Sequence, residues 1–326
     1  MQCRPDAPGG QALSESSTIY HKGHVRSYCV DLLQTKQRSR IAHMDERQPG
    51  QYGRSAGVDL AAALASAGLF VFTTEDAVSL APSGVLPQQV PYLLKALTDA
   101  GWLIRLRRGL YAGTGQLPGG VDIPPFILAT ALVSPSAIGL WSALAHHDLT
   151  DQVPVVVTAI TPRKVVTPSM RAGEKSGSRH AWQVAGVECQ FVTLSEKRYK
   201  IGLERTWIDE RFPFSITDRE RTVLDTFAMP GRFGGISEGL SVLDRALSTL
   251  DVERLVDYAL QYGSRTLVKR LGWSLERAGA DGTVLAPLLV APAPSYSVLD
   301  PGRPRRGDHD RRWKLILNVG LQSQRA

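Results

Sequence analysis

Two short runs in this 326-residue chain combine residue types that bind metals or move protons: His146-His147-Asp148 and Asp308-His309-Asp310. Neighbouring histidines on a helix point about 100° apart and cannot easily share one metal. The first run therefore reads as a helix end with satisfied imidazoles. The second lies in a Pro/Gly/Arg-rich stretch and has the form of a two-carboxylate clamp for a metal ion. Nucleotidyltransferases pair such an Asp-x-Asp with a Gly-Ser turn just before it. Here Gly263-Ser264 precedes Asp308 by about 45 residues, and Ser264 is better placed as a helix cap. There is no Gly-rich phosphate loop ending in Lys-Ser/Thr, no G-x-S-x-G and no H-E-x-x-H. The sequence thus predicts no catalytic residue, no metal site and no cofactor. A metal-dependent, nucleotidyltransferase-like enzyme using Asp308 and Asp310 is the minor alternative.

The residues best suited to a partner are basic or amide-bearing. Trp102 to Ala112 alternates apolar and basic residues, turns at Arg108-Gly109 and returns. That predicts a hairpin with Arg105 and Arg107 on one face and Ile104 and Leu106 on the other. Just before it, Gln88, Gln89, Tyr92 and Lys95 lie off the apolar face of a helix, toward its start. Glutamine pairs bidentately with adenine, whereas tyrosine, lysine and arginine suit phosphates. These seven residues form the candidate DNA-reading set, with Arg108 at the turn. A further loop carries Arg163, Lys164, Arg171, Lys175, Arg179 and His180 against only Glu174. Arg163, Lys164, Arg171 and Lys175 are candidates for additional phosphate or partner contacts. The plainer readings are a protein-binding surface for the first set and a solvated loop for the second.

The elements that must position the first set follow from periodicity. Leu60, Ala61, Leu64, Ala65 and Leu69 make one helical face, with Gly68 as a stop. Phe70-Val71-Phe72 is strand-like. Thr73 stands three residues before Asp76, a capping-box variant opening a short second helix. Pro82-Ser83-Gly84 breaks that helix. Leu86-Pro87 opens a third, with Val90, Leu93, Leu94 and Leu97 buried and Pro91 tolerated in the first turn. Helix, helix, turn, helix and basic hairpin is the order of a winged helix-turn-helix, whose third helix enters the major groove.

Beyond a Gly/Pro-rich linker, helices are expected at Phe126–Ala131 and Ile138–Ala145, and strands at Val153–Ile160, Val187–Leu194 and Trp313–Val319. Thr217-Asp218-Arg219-Glu220 reads as a capping box for a helix through Ala228, and Asp251 and Ser264 cap two more. The predicted fold class is α/β (α+β): an N-terminal winged helix-turn-helix, then a mixed α/β region. The expected organisation is a disordered extension at 1–55, the DNA-binding unit at 56–113, a linker at 114–125, the α/β domain at 126–320 and a tail at 321–326. Met44 offers a second plausible start.

Composition narrows the class. The net charge is +7, from 38 Lys and Arg against 31 Asp and Glu, which allows an anionic partner without requiring one. Residues 58–113 carry four acids and four bases, so any DNA affinity rests on placement and not on total charge. The longest nearly apolar run, Leu60–Phe72, is too short to span a bilayer, so no membrane partner is expected. No signal-peptide core is evident. Three scattered cysteines argue for a reduced, cytoplasmic setting.

The ordered series Leu103–Ala112, Ser136–Leu149, Ile216–Asp225, Leu255–Gly279, Leu299-Asp300-Pro301 and Trp313–Asn318 resembles the AbiEi-type antitoxins of bacterial type IV toxin–antitoxin (abortive infection) systems. The resemblance covers about 260 residues. It implies a winged helix that binds the double-stranded operator DNA of its own operon and represses it. It also implies an α/β antitoxin domain that counters a nucleotidyltransferase-like toxin, and no catalytic residues. The implied DNA contacts fall on Gln88, Gln89, Tyr92, Arg105, Arg107 and Arg108. A protein-interaction module without DNA binding remains the alternative, and the oligomeric state stays open.

Overall fold

The computed structural model describes residues 56–116, 120–167, 170, 181–290 and 295–320. The expectations for 1–55 and 321–326, and for Arg171, Lys175, Arg179 and His180, lie outside these residues.

The first unit runs α1 (Ala56–Ser66), β1 (Val71–Thr73), α2 (Thr74–Ser79), a 3-10 turn (Pro87–Gln89), α3 (Val90–Asp99), β2 (Leu103–Arg107) and β3 (Leu110–Gly113). The apolar faces expected from periodicity meet. Leu60, Leu64, Phe72, Ala77, Val90, Leu94, Leu97, Leu103 and Tyr111 form one core. The Thr73 box is complete: the Asp76 N–H donates to Thr73 Oγ1 at 3.1 Å, and the Thr73 N–H donates to Asp76 Oδ2 at 2.7 Å. Pro91 sits within the first turn of α3, where its missing N–H leaves no intrahelical bond unmade. The sheet order is β1-β3-β2, all antiparallel.

The second region is built on a mixed six-stranded sheet in the order β6-β7-β5-β4-β9-β8. Its strands are β4 (Ala137–Ile138), β5 (Val156–Thr161), β6 (Trp182–Val184), β7 (Val187–Thr193), β8 (Leu203–Ile208) and β9 (Phe212–Thr217). Alternate residues of β5 feed two cores, as expected of a strand buried on both faces. Val157 and Ala159 pack with Leu128 and Leu132 of α4 (Pro125–Leu132). Ile160 packs with Leu140 and Leu144 of α5 (Leu140–His146) and with Val223 and Leu224. The last two belong to α7 (Arg219–Ala228), which follows the one-turn α6 (Glu196–Tyr199). Around α7 stand α8 (Ile236–Ala246), α9 (Val252–Tyr262) and α10 (Arg265–Arg277), with α11 (Gly282–Val290) packed on α9 and α10. A small sheet, β10 (Ser297–Val298), β12 (Leu315–Leu317) and β11 (Asp308–Asp310), closes the described chain. Its neighbour Trp313 is fully buried against Gly272, where a Cβ would lie 2.1 Å from the indole.

Four local expectations need correction. Ile138 is strand and not helix, because it pairs with both Ala159 and Ile216; α5 begins only after the extended Gly139. Strand β5 starts at Val156, beyond Pro154, which has no N–H to donate. The cap of α7 is Asp218, whose Oδ1 accepts the Arg221 N–H at 2.7 Å. Thr217 is instead the buried last residue of β9, and Glu220 turns away to accept the Asp251 N–H at 3.1 Å. The closing strand is only Leu315–Leu317.

The segments that carried the family resemblance prove architectural. Arg221 and Asp225 are both 0% exposed and pair at 2.9 Å, with Arg221 Nη1 also donating to the carbonyls of Arg198 and Ile201. Asp218, besides capping α7, accepts from Arg254 Nη2 at 2.6 Å and from the Tyr258 hydroxyl at 2.8 Å. Asn318 clamps Asp300 from both sides: its Oδ1 accepts the Asp300 N–H and its Nδ2 donates to the Asp300 carbonyl, each at 2.8 Å.

Candidate nucleic-acid interface

The first-unit residues singled out for a partner are all exposed, and they come from the start of α3 and from the β2–β3 hairpin. Gln88 and Gln89 lie in the 3-10 turn that leads into α3. Gln89 is partly committed: its Oε1 accepts the Leu86 N–H at 2.9 Å, capping the turn and leaving the amide nitrogen to reach outward. Tyr92 is 75% exposed, unusual for an aromatic ring, and it has no partner among the described residues. Lys95 is held by Asp99 at 2.5 Å, an exposed i,i+4 pair that spends part of its charge within α3. Pro91, on the same turn, is also exposed.

The hairpin carries the unspent charge. Arg105, Arg107 and Arg108 are exposed, and none has an ion pair among the described residues. A register shift between Arg105 and Arg107 marks a bulge, which increases local twist and re-aims side chains. The turn needs Gly109, whose φ of +75° is costly for any residue with a Cβ. Its carbonyl accepts the Thr74 N–H at 3.1 Å, tying the hairpin tip to the start of α2.

The reverse of the hairpin was not anticipated. Leu106, Leu110 and Ala112 are buried in the same core as Ile123, Leu128, Val157, Phe212 and Phe214 of the second region. Phe70 packs on Phe212 with centroids 5.3 Å apart. The hairpin is therefore mounted on the larger sheet and does not hang free. The signal for this was present in the apolar Leu110-Tyr111-Ala112, too greasy for a strand with one wet face.

The remaining candidates fall elsewhere. Arg163 and Lys164 are exposed where the chain leaves β5, the Arg163 N–H donating to Thr161 Oγ1 at 3.2 Å. His147 ends α5 with Nε2 2.7 Å from the Thr217 carbonyl, and His146 packs edge-on against Phe126 and Phe214. Asp310 Oδ1 accepts the Trp313 N–H at 2.8 Å, so this carboxylate shapes the β11–β12 turn. Among the described residues no group of three or more His, Cys, Asp or Glu side chains is arranged to hold a metal.

Helix, strand, helix, helix and hairpin around one small core, set on a mixed α/β body, define the class of molecule. Residues 59–112 match the model for transcriptional regulators of the AbiEi antitoxin type. Over the whole fold the chain is similar to the crystal structure of the RV2827C protein from Mycobacterium tuberculosis. The TM-score is 0.54 at 17% identity, covering 83% of this chain and 92% of that one. At that identity the likeness speaks for the fold alone. No curated protein matches the chain. No helix among the described residues is long and apolar enough to cross a membrane.

Proposed function

We propose that this chain is a DNA-binding transcriptional repressor of its own operon and the antitoxin of a type IV toxin–antitoxin system, opposing a nucleotidyltransferase-like toxin. The observation that carries the reading is the set of three exposed arginines without ion pairs among the described residues on the hairpin, together with the exposed start of α3, inside the segment that matches the AbiEi antitoxin model. In this reading Gln88, Gln89 and Tyr92 reach base edges and nearby backbone. Lys95, Arg105, Arg107 and Arg108 neutralise phosphates. Arg163, Lys164, Arg171 and Lys175 add phosphate or partner contacts. Residues 56–113 read the DNA, residues 126–320 form the antitoxin domain, and the protein works in the cytoplasm without chemistry of its own.

The test is a gel shift with the full chain on the DNA upstream of its gene. Wild type should shift it, and affinity should fall steeply with salt. Arg107→Ala with Arg108→Ala should weaken binding across sequences alike. Undiminished binding by this double variant would sink the assigned hairpin; no binding by wild type would favour a protein-interaction module. A neighbouring reading frame carrying Gly-Ser followed by Asp-x-Asp, whose toxicity co-expression relieves, tests the antitoxin half.

A further inference from the structure

On the side of the large sheet away from α4, a groove of about 960 Å³ opens over β5 and β7, between the start of α5 and the end of α7. Its size falls in the range of small-molecule sites. Trp141, Val153, Val155 and Met229 give it apolar walls. Val153 and Val155 are 48% and 60% exposed, two large aliphatic residues left wet on its rim. Trp141 is held in place from two directions. Its indole N–H donates to the Arg232 carbonyl at 3.1 Å, and its ring packs on Phe233 at 5.5 Å.

The charge lining this groove has one sign. Arg232 and Arg270 line it, and no Asp or Glu does. Arg232 is exposed, and its guanidinium has no partner among the described residues. Arg270 is only 7% exposed, yet it makes no ion pair among the described residues. Its Nε and Nη2 both donate to one acceptor, the Val298 carbonyl, at 3.3 and 3.2 Å. A guanidinium carries five N–H donors, so this buried cation is under-used. Burial lowers its proton affinity. The field of Asp300 opposes this from beyond ion-pair distance, and that carboxylate is engaged by the N–H groups of Ile236 and Gly302. A cation taken from water without a counter-ion is costly unless a charge arrives to complete it.

We propose that this groove binds a small organic anion: a flat apolar body lying along Trp141, Val153, Val155 and Met229, with one carboxylate or phosphate group held between Arg232 and Arg270. The site is separate from the DNA-reading surface and does not depend on that reading.

The probe is 1-anilinonaphthalene-8-sulfonate, an aromatic anion whose fluorescence rises in apolar sites, titrated into the full chain. Saturable binding at a single site is expected. Arg232→Gln, at an exposed position that should not disturb folding, should weaken it about tenfold, the loss of one charge-assisted contact. Val155→Asp, which places an acid on the rim, should weaken it as well. Arg270→Gln should do the same if circular dichroism shows it folded; if it does not fold, the other two variants decide. N-phenyl-1-naphthylamine, which lacks the sulfonate, should bind wild type and Arg232→Gln alike. Displacement of the dye by 1-naphthyl phosphate or by 1-naphthoate supports the site and tells which anion it takes. Absence of saturable binding, an unchanged affinity in Arg232→Gln, equal losses for the neutral probe, or no displacement by either anion would overturn it. The upstream-DNA gel shift of Arg232→Gln should match wild type, which keeps this test independent of the repressor assignment.

Discussion

Arginine does opposite work in two regions of this molecule. On the β2–β3 hairpin, Arg105, Arg107 and Arg108 are exposed, with no ion pair among the described residues. In the helical layer, Arg221 has no exposure at all and is enclosed by Asp225, two carbonyls and the face of Tyr262 at 5.6 Å. The first group costs the fold almost nothing and remains available to a phosphate. The second is enclosed, with Nε and Nη1 partnered and Nη2 buried without a hydrogen bond among the described residues, and it is available to nothing outside. Residue type and net charge are the same in both places; burial and pairing decide whether a cation is a contact or a strut.

That contrast can be broken by substitution, and the largest effect belongs to the strut. Arg221→Met would leave Asp225 buried without its cation and should cost about 3–5 kcal/mol. Urea denaturation would reveal it, and a loss below 1 kcal/mol would show that Asp225 had shed its charge instead. Leu110→Ala, on the reverse of the hairpin, should cost about 2–5 kcal/mol, because it opens a cavity in the core that hairpin and sheet share. A small change there would mean that the mounting is loose. Arg107→Ala with Arg108→Ala should leave the stability read from urea denaturation within about 0.5 kcal/mol of wild type. The same pair should flatten the log–log salt dependence of DNA binding by about 2 units. Asp99→Asn should act least: it frees Lys95 and should tighten DNA binding by no more than a few-fold, with stability changed by about 0.5 kcal/mol or less.

A buried thiol gives a pH-dependent companion to these tests. Burial, with a smaller push from Glu188, raises the Cys189 pKa from its ordinary 9.0 to about 12. The fold therefore favours the protonated thiol. Its contribution is intact below pH 9 and is lost as pH rises from 9 toward 12, where the unfolded chain alone gives up the proton. At pH 8 iodoacetamide should leave Cys189 unmodified in the folded chain and alkylate it after denaturation, as peptide mass mapping would show. Modification of the folded chain would contradict the burial.

The first unit was legible because its signals are local. A 3.6 period, a Thr-x-x-Asp box and a basic alternation each need only a dozen neighbouring residues. The mounting of the hairpin was hinted at only by the apolar Leu110-Tyr111-Ala112, since Ile104 and Leu106 alternate as they would in any half-buried hairpin. Their partners Phe212 and Phe214 are more than a hundred positions away. Ile138 misled for a related reason: two residues are too few to show a period of two, and only pairing with Ala159 and Ile216 makes them strand. The α7 cap was missed by one residue, because Thr217 and Asp218 are both good cap types and burial of Thr217 chooses between them. The groove draws on segments from Leu140 to Pro301, so no window of the sequence contains it.

The shared core behind the hairpin sets a limit on transplantation. Residues 59–112 look portable by family match, yet Leu106, Leu110 and Ala112 finish their packing on another part of the chain. Cutting the chain after Gly113 would uncover an oily patch on the excised piece and a matching one on the remainder. Under the proposed repressor reading, an engineer seeking a new operator preference would therefore graft Gln88, Gln89 and Tyr92 alone, leaving the strands beneath untouched.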